Sequence, residues 1–416
     1  MKHVMVIGGG VVGLTTAWSL LERGLAVTVV EREAGVGLGA SRANGGQLSY
    51  RYVSPLADAG VPLKALRWLL DPDGPLRFKP EFDAAQWSWL AGFLRACRGS
   101  VNRRTTQRLL ELGAYSQACF ARLHERAGLG DIALREPGKL VVYRKPAEFA
   151  RVAARLEGGS GPERALSHDE CLALEPALQD NEAELAGGIF TAGEAVADCY
   201  ALCRQLAARL EQQPGFRGVV AARVDGFATG PDGSVRALRT TAGELGADAF
   251  VLAAGLQSRA LARPLGLNLP LYPLKGYSLT APIEAKHLPP VVSVTDFEKK
   301  ILYARIGEQL RIAAMVDLVG ENTELDPKRV DSLKRAVRDM FPNAADYDRA
   351  EVWAGLRPAT PTGAPLLGAT PLRNLWLNVG HGALGFTFSF ASAEIVADLV
   401  EGRTSAVALD GLRLAA

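Results

Sequence analysis

Residues 4–31 decide the fold, and they read VMVIGGGVVGLTTAWSLLERGLAVTVVE. The stretch opens on an apolar run, which is the pattern of a strand buried on both faces. Gly8, Gly10 and Gly13 follow in the order Gly-x-Gly-x-x-Gly, apolar residues then recur at helical spacing, and a second apolar strand ends on Glu31. In such a unit the glycines let a pyrophosphate approach a helix N-terminus, and the carboxylate accepts hydrogen bonds from ribose hydroxyls. The stretch therefore predicts that the chain binds a dinucleotide.

The composition excludes several classes of protein. Among 416 residues, Lys and Arg number 47 and Asp and Glu number 45, so the net charge of +2 gives no electrostatic case for nucleic acid binding. Five cysteines without a Cys-x-x-Cys pair argue for reduced thiols in a cytoplasm. Glycines interrupt the apolar N-terminus and no apolar run reaches roughly eighteen residues, so we expect neither a signal peptide nor a membrane span. We predict a cytoplasmic protein with, at most, a peripheral contact on the inner face of the membrane.

A second glycine-rich segment begins directly after the dinucleotide unit. Residues 32–48 are rich in glycine and include Ser41 and Asn44, whose side chains can donate hydrogen bonds. Such a loop is either a plain connection or a second cradle for the cofactor. We favour the cradle, because glycines let backbone amides face a ligand.

An aromatic segment follows, with Trp68, Trp87 and Trp89 set among apolar residues and prolines. One interpretation is an ordinary core or lid segment. The other is an exposed amphipathic patch for a membrane surface or a partner. The basic residues beside the aromatics are Lys64, Arg67, Arg77 and Lys79. The sequence leaves both interpretations open.

The C-terminal part repeats the pattern of strand, glycine-rich turn and helix. Residues 375–379 are an apolar strand, residues 380–385 read GHGALG, and a helical pattern runs on to Val400. Earlier, a buried strand ends on Ala254 and Gly255, as the carboxyl edge of a nucleotide-binding sheet requires. Between the two, the strands look antiparallel. A second helix N-terminus suggests a cofactor with two ends to hold.

Four further motifs carry a resemblance to a known family. They are ASRANGGQ at 40–47, YPLKGYS at 272–278, GLRP at 355–358 and NVGHG at 378–382. Together with the N-terminal fingerprint they resemble the FAD-dependent D-amino acid dehydrogenases of the small-subunit type, within the wider group of D-amino acid, glycine and sarcosine oxidases. The resemblance runs nearly end to end in the same order.

The resemblance implies an α/β fold, α+β overall, in which a second, antiparallel-sheet domain is inserted discontinuously into a Rossmann-like domain. The FAD-binding domain would comprise residues 1–50, 187–270 and 350–416. The substrate domain would comprise residues 51–186 and 271–349.

The resemblance also implies which residues bind FAD. Glu31 would meet the ribose and Ser41 the pyrophosphate, while the turn near Gly380 would meet the isoalloxazine. The helix N-terminus there would stabilise the negative charge of the reduced flavin. The full set is Gly8, Gly10, Val11, Val12, Gly13, Glu31, Arg32, Ser41, Asn44, Gly45, Gly46, Gln47, Val224, Ala254, Gly255, Gly380, His381, Gly382, Leu384, Gly385, Phe386 and Thr387. No metal is expected.

Arg357 is the main candidate for substrate recognition, because a planar guanidinium holds a carboxylate with two hydrogen bonds. Without the resemblance, a structural ion pair would be the simpler interpretation. Tyr277, Tyr52 and Lys275 are weaker candidates to line the site. We interpret His381 as a neighbour of the flavin rather than as a base, since the expected chemistry needs none.

That chemistry would be hydride transfer from the Cα of a D-amino acid, whose amine is already neutral, to flavin N5, giving an imino acid that hydrolyses to a 2-oxo acid and ammonia. A quinone or another non-oxygen acceptor would then take the electrons. Five positions around the flavin and the substrate depart from the family pattern, namely Ala40, Arg42, Gly45, Thr362 and Phe386. A D-proline or hydroxyproline dehydrogenase, or a glycine or sarcosine type of oxidase, therefore stays open as an alternative.

Overall fold

The computed structural model describes residues 1–69, 71, 73–156, 161–181 and 184–414. The strands are β1 (His3–Ile7), β2 (Ala26–Glu31), β3 (Gln47–Leu48), β4 (Leu76–Phe78), β5 (Lys139–Tyr143), β6 (Glu163–Leu166), β7 (Gly187–Thr191), β8 (Ala195–Val196), β9 (Phe216–Ala221), β10 (Val224–Thr229), β11 (Val235–Thr240), β12 (Gly243–Gly246), β13 (Ala249–Leu252), β14 (Tyr272–Pro282), β15 (Ser293–Asp296), β16 (Ile301–Ile306), β17 (Gln309–Leu318), β18 (Glu351–Ala359), β19 (Leu366–Ala369) and β20 (Leu375–Val379). The α-helices are α1 (Val11–Glu22), α2 (Val61–Leu69), α3 (Ala84–Ala96), α4 (Gly99–Ala127), α5 (Pro146–Ala153), α6 (His168–Leu174), α7 (Cys199–Leu210), α8 (Ser258–Ala262), α9 (Pro327–Met340) and α10 (Gly385–Val400).

A six-stranded sheet has the order β19-β20-β13-β1-β2-β9, and all neighbours in it are parallel except β19 and β20. Strand β1 lies near its centre because Val4 and Val6 on one face and Met5 and Ile7 on the other are all buried. Helices α1, α4, α7 and α10 pack on one face, and the β10–β12 hairpins cover the other. Both glycine-rich turns therefore open at the carboxyl edge of this sheet.

A larger sheet has the order β18-β14-β17-β16-β15-β5-β7-β6, with β4 beside β17, and its pairs are mostly antiparallel. One of its faces packs on α9 through a buried core that includes Tyr277 and Leu333. The opposite face meets the glycine-rich loop after β2. There Ser278 Oγ donates to the Ala43 carbonyl at 2.8 Å, and Arg311 Nη1 donates to the Asn44 carbonyl at 2.8 Å. This second face therefore looks toward the carboxyl edge of the six-stranded sheet.

The division into two domains stays our proposal. The strand pairing and helix packing indicate domain borders that differ from those expected from the sequence. Strands β7 and β18 pair within the larger sheet, although residues 187–191 and 351–359 were expected in the FAD-binding domain. Helix α4 packs with α1 and α10, although residues 99–127 were expected in the substrate domain. Strand pairing and helix packing are non-local, so composition along the chain does not reveal them.

The aromatic segment combines both interpretations given above. Trp89 is 4% exposed and donates to the Ala359 carbonyl at 2.8 Å, as a core residue does. Trp87, in contrast, is 52% exposed. Other exposed apolar side chains in this segment are Leu63, Phe82 and Leu94. The side chain of Arg67, which was expected to border the patch, lies outside the described residues.

Within the described chain, residues 382–400 are the one helical stretch long and apolar enough to cross a membrane, and 67% of it is buried inside the protein. Helix α10, which forms most of it, packs against α1 and α4. That burial is the behaviour of a core helix.

Candidate active site

A cavity of about 900 Å³ lies between the two sheets. Its volume is near the upper end of the range for small-molecule sites, roughly 300–1,000 Å³. The structure brings all the predicted cofactor and substrate residues to its lining except Gly13, Lys275 and Thr387. Residues from both ends of the chain and from its middle thus converge on one space.

Gly13 and Thr387 belong to the predicted cofactor set but do not line the cavity. A Cβ on Gly13 would lie 1.8 Å from the Gly8 carbonyl oxygen, so this glycine lets α1 pack against the end of β1. Thr387 is 1% exposed, and its Oγ1 accepts a hydrogen bond from the Ser49 amide at 3.0 Å. Both residues therefore support the wall of the cavity without lining it.

One end of the cavity is formed by the first turn of α1. Gly10 caps this helix without a side-chain hydrogen bond, and the amide of Val11 donates to Ser41 Oγ at 3.1 Å. The Glu31 carboxylate accepts from the amides of Gly9 at 2.6 Å and Glu33 at 2.9 Å. These bonds fix the carboxylate beside a helix N-terminus, which is the arrangement that holds a ribose next to a pyrophosphate.

The other end is formed by the turn between β20 and α10. Gly380 and Gly382 have φ values of +83° and +54°, which side chains other than glycine rarely adopt. Helix α10 has no side-chain cap, so its first amides face the cavity edge with the positive end of the helix dipole. His381 is 4% exposed and its Nε2 lies 3.1 Å from Ser392 Oγ. Burial lowers the pKa of His381 to about 3, so the imidazole is neutral at pH 7.

These residues fit a long cofactor with an anionic half and a polar second half. Two helix N-termini whose N-cap residues form no side-chain hydrogen bond open into a single cavity. Beside the second one, Asn378 Oδ1 is buried without a hydrogen-bond partner among the described residues, although its Nδ2 donates to Thr16 Oγ1 at 2.9 Å. An orphaned acceptor at the cavity wall is what a hydrogen-bond donor on a bound ligand would satisfy.

Arg357 reaches the cavity from β18. Its guanidinium lies flat over Gly276, where an added Cβ would be 2.2 Å from Nη2, and its Nη1 donates to the Met315 carbonyl at 2.9 Å. No carboxylate of the described chain forms an ion pair with it, and Asp317 is paired with Arg329 at 2.7 Å. Burial lowers the pKa of Arg357 to about 10, and Asp317 opposes this effect, so the group stays charged at pH 7. The cavity thus contains a cation with donors to spare.

Tyr277 is among the residues that line the cavity, whereas Lys275 is not. Tyr277 is 1% exposed, its hydroxyl lies 3.4 Å from Asp317 Oδ2, and it packs in the core on the α9 side. Lys275 Nζ donates to Asn322 Oδ1 at 3.1 Å. Side chains alternate along a strand, so the side chains of Lys275 and Tyr277 point to the face of the sheet opposite that of Gly276.

Tyr52 lies at the cavity as predicted, and it has a partner that the sequence did not single out. Lys139 Nζ lies 4.1 Å from the centroid of the Tyr52 ring and donates to Gln47 Oε1 at 2.7 Å and Ser49 Oγ at 3.1 Å. Burial lowers the pKa of Lys139 to about 8, against the opposing effect of Glu194. A lysine at the head of an otherwise apolar strand was the available signal.

The comparison with known families agrees with this geometry. Residues 3–399 match the family model described as FAD dependent oxidoreductase. The chain therefore belongs to this family of FAD-dependent oxidoreductases, and it is a flavoenzyme whose cofactor is FAD.

Relatives are similar over nearly the full length. D-amino acid dehydrogenase 2 of Pseudomonas aeruginosa is 51% identical over 411 residues, which cover 99% of this chain and 98% of that protein. A D-amino acid dehydrogenase of Paramagnetospirillum magneticum is 45% identical over 414 residues, covering 98% and 97%. The crystal structure of glycine oxidase from Geobacillus kaustophilus has a TM-score of 0.76 at 24% identity, with coverage of 100% and 99%. The resemblance, the mixed α/β fold class and the FAD cofactor predicted from the sequence are confirmed.

Proposed function

We propose that this flavoenzyme oxidises D-amino acids to 2-oxo acids and ammonia. The observation that carries the proposal is Arg357, a charged guanidinium at the wall of the cofactor cavity without a carboxylate partner in the described chain. A charge in such a place is costly until an anion joins it. The carboxylate of an amino acid supplies that anion, and the D series is supported by the names of the relatives.

Bound FAD supplies the acceptor for the hydride that leaves the substrate Cα. Arg357 keeps its Nη1 on the Met315 carbonyl, so Nη2 and Nε are the donors for the substrate carboxylate. Leu274, Leu302 and Met315 line the cavity with apolar surface that excludes water. His381 is hydrogen-bonded and its pKa of about 3 makes it a weak base, so it positions the turn while the substrate reacts with its amine already neutral. The imino acid that is formed hydrolyses in water to the 2-oxo acid and ammonia.

Anaerobic mixing of the yellow holoenzyme with matched D- and L-amino acids tests the reaction. We expect D-amino acids to bleach the visible absorbance of the flavin and L-amino acids to leave it unchanged. Bleaching by the L series alone, or by no amino acid, would contradict the proposal.

Replacement of Arg357 tests the role of the guanidinium. Arg357→Leu should raise KM by about 100-fold or more while FAD stays bound, because two charge-assisted hydrogen bonds are lost. Arg305→Leu on β16 is the matched control, since Arg305 pairs with Glu308 at 3.2 Å away from the cavity lining. Equal KM values in the two variants would remove Arg357 from substrate binding.

We further propose that a quinone or another acceptor other than oxygen takes the electrons, which agrees with the dehydrogenase names of the relatives. The test compares oxygen uptake with reduction of a soluble quinone analogue during turnover of the same D-amino acid. Oxygen uptake at the full rate of turnover would identify an oxidase instead.

We also propose that this cytoplasmic enzyme contacts the inner face of the membrane through the exposed side chains of Leu63, Phe82, Trp87 and Leu94. All four side chains are more than half exposed, and Lys64 and Arg77 lie in the same segment. Flotation with anionic vesicles should carry the wild-type chain and leave a Leu63→Glu, Phe82→Glu double variant behind. A wild-type chain that stays unbound at low salt would contradict the contact.

A further inference from the structure

Two glycines face each other across β14 and β18 beside Arg357. Gly276 and Gly355 are register partners, so their Cα atoms are roughly 4.5–5.5 Å apart. A flat side chain lies over each of them on the cavity face. The Arg357 guanidinium covers Gly276, and the six-membered ring of the Trp353 indole covers Gly355, where an added Cβ would be 1.9 Å from Cη2 and 2.5 Å from Cζ3.

The consequence is that an indole and a guanidinium lie side by side on one face of the sheet. Trp353, Gly355 and Arg357 alternate on β18 and share that face. Trp353 also lines the cavity. On the other side of the guanidinium, the register partner of Arg357 is Leu274, which is 7% exposed and lines the cavity as well. The cation is thus flanked by apolar surface.

The apolar surface beside Arg357 would influence which D-amino acid fits in the cavity. This inference rests on the proposed function, because it takes a D-amino acid as the substrate. When Arg357 binds the substrate carboxylate, the substrate Cα lies only one bond beyond that carboxylate. The groups attached to Cα can then contact a surface about one strand spacing from the guanidinium. The indole is the surface at that distance. An indole face offers a large apolar contact and a favourable aromatic partner.

We propose that Trp353 is a specificity-determining residue whose indole supports the substrate side chain and favours large apolar and aromatic D-amino acids over D-alanine. The paired glycines are the reason that this surface exists. A β-carbon at either position would lift the ring or the guanidinium off the sheet.

The test measures kcat/KM of the holoenzyme for D-alanine, D-leucine and D-phenylalanine in wild type, Trp353→Phe and Trp353→Ala. In Trp353→Ala we expect kcat/KM for D-phenylalanine to fall at least 10-fold more than that for D-alanine. Trp353→Phe should keep most of the preference. Val352→Ala is the matched control, because Val352 is the neighbouring residue on β18 and packs toward the opposite core.

Ligand binding separates failure of this inference from failure of the proposed function, because it needs no turnover. Perturbation of the flavin absorbance gives Kd for benzoate and for acetate, which share a carboxylate and differ in the ring. Trp353→Ala should weaken benzoate at least 10-fold relative to acetate, and Trp353→Leu provides the same comparison if the alanine variant does not retain FAD. Equal losses for both ligands and for all substrates, or no loss, would overturn the role of Trp353, whatever the wild type oxidises.

Discussion

At the scale of single residues, glycines determine the shape of the site, because they leave space for neighbouring side chains. The sequence singled out Arg357 correctly as a residue of the cavity, because a GLRP motif can be recognised locally. It did not show which way the Tyr277 side chain points, because only the strand register shows which face of β14 is turned toward Arg357. It also passed over Lys139, whose partner Gln47 is distant in the chain, and Trp353, whose position over Gly355 depends on the side-chain conformation.

Gly276→Ala tests the space under the guanidinium. The new Cβ would lie 2.2 Å from Nη2 and 2.4 Å from Cζ of Arg357, so the guanidinium must move away from its present position. We expect KM for a D-amino acid to rise about 10-fold or more with FAD content unchanged. Steady-state kinetics and the ratio of flavin to protein check this, and an unaltered KM would mean that Arg357 does not bind substrate in the observed position.

His381 predicts a defined dependence of stability on pH. Its pKa is about 3 in the fold, below an ordinary value of 6.5, so its contribution is fully present above pH 6.5 and is lost as the pH falls toward 3. Between pH 7 and pH 5 the loss amounts to about 2 kcal/mol of unfolding free energy. Urea unfolding with excess FAD should show this loss in the wild type and a smaller one in His381→Asn. Parallel losses in the two proteins would assign the pH dependence to other groups.

At the scale of helices and strands, the N-terminal unit could be predicted almost residue by residue. Strand β1, helix α1 and strand β2 follow one another and pack together, so their apolar spacing carries the information. In contrast, the sequence does not show which of the two sheets a strand joins. Strands β7 and β18 join partners far away in the sequence, and nothing in their own composition distinguishes the two sheets.

Gly13→Ala tests the contact between α1 and β1. The added Cβ would lie 1.8 Å from the Gly8 carbonyl oxygen, so the helix must withdraw from the strand. We expect a loss of stability of about 1–3 kcal/mol, as for overpacking, together with weaker retention of FAD. Gly246→Ala is the control, since its Cβ would meet only an ordinary contact at 3.6 Å. Gel filtration followed by flavin quantification should separate the two variants.

The whole molecule is organised around a cavity that neither sheet closes alone. The six-stranded sheet contributes two helix N-termini, and the larger sheet contributes Arg357 and the glycine pair beneath it. The sequence predicted both ends of this arrangement, because each is a local turn rich in glycine. It did not define the distance between them, which depends on how the two sheets pack through the loop at Asn44.

The central place of β1 has a consequence for synthesis of the chain. One edge of β1 pairs with β13, which is synthesised much later than β1. Strand β20, which pairs with β13, comes only at residues 375–379. At roughly 5–20 residues per second, an emerging polypeptide leaves that edge uncovered on the ribosome for tens of seconds, and FAD has no closed site until α10 has left the exit tunnel. Ribosome-bound chains stalled before residue 375 should therefore fail to hold flavin, whereas full-length chains released from the tunnel by a linker should bind it. The edge of β1 thus stays unpaired until residues 249–252 have been synthesised, which is more than half of the time of translation.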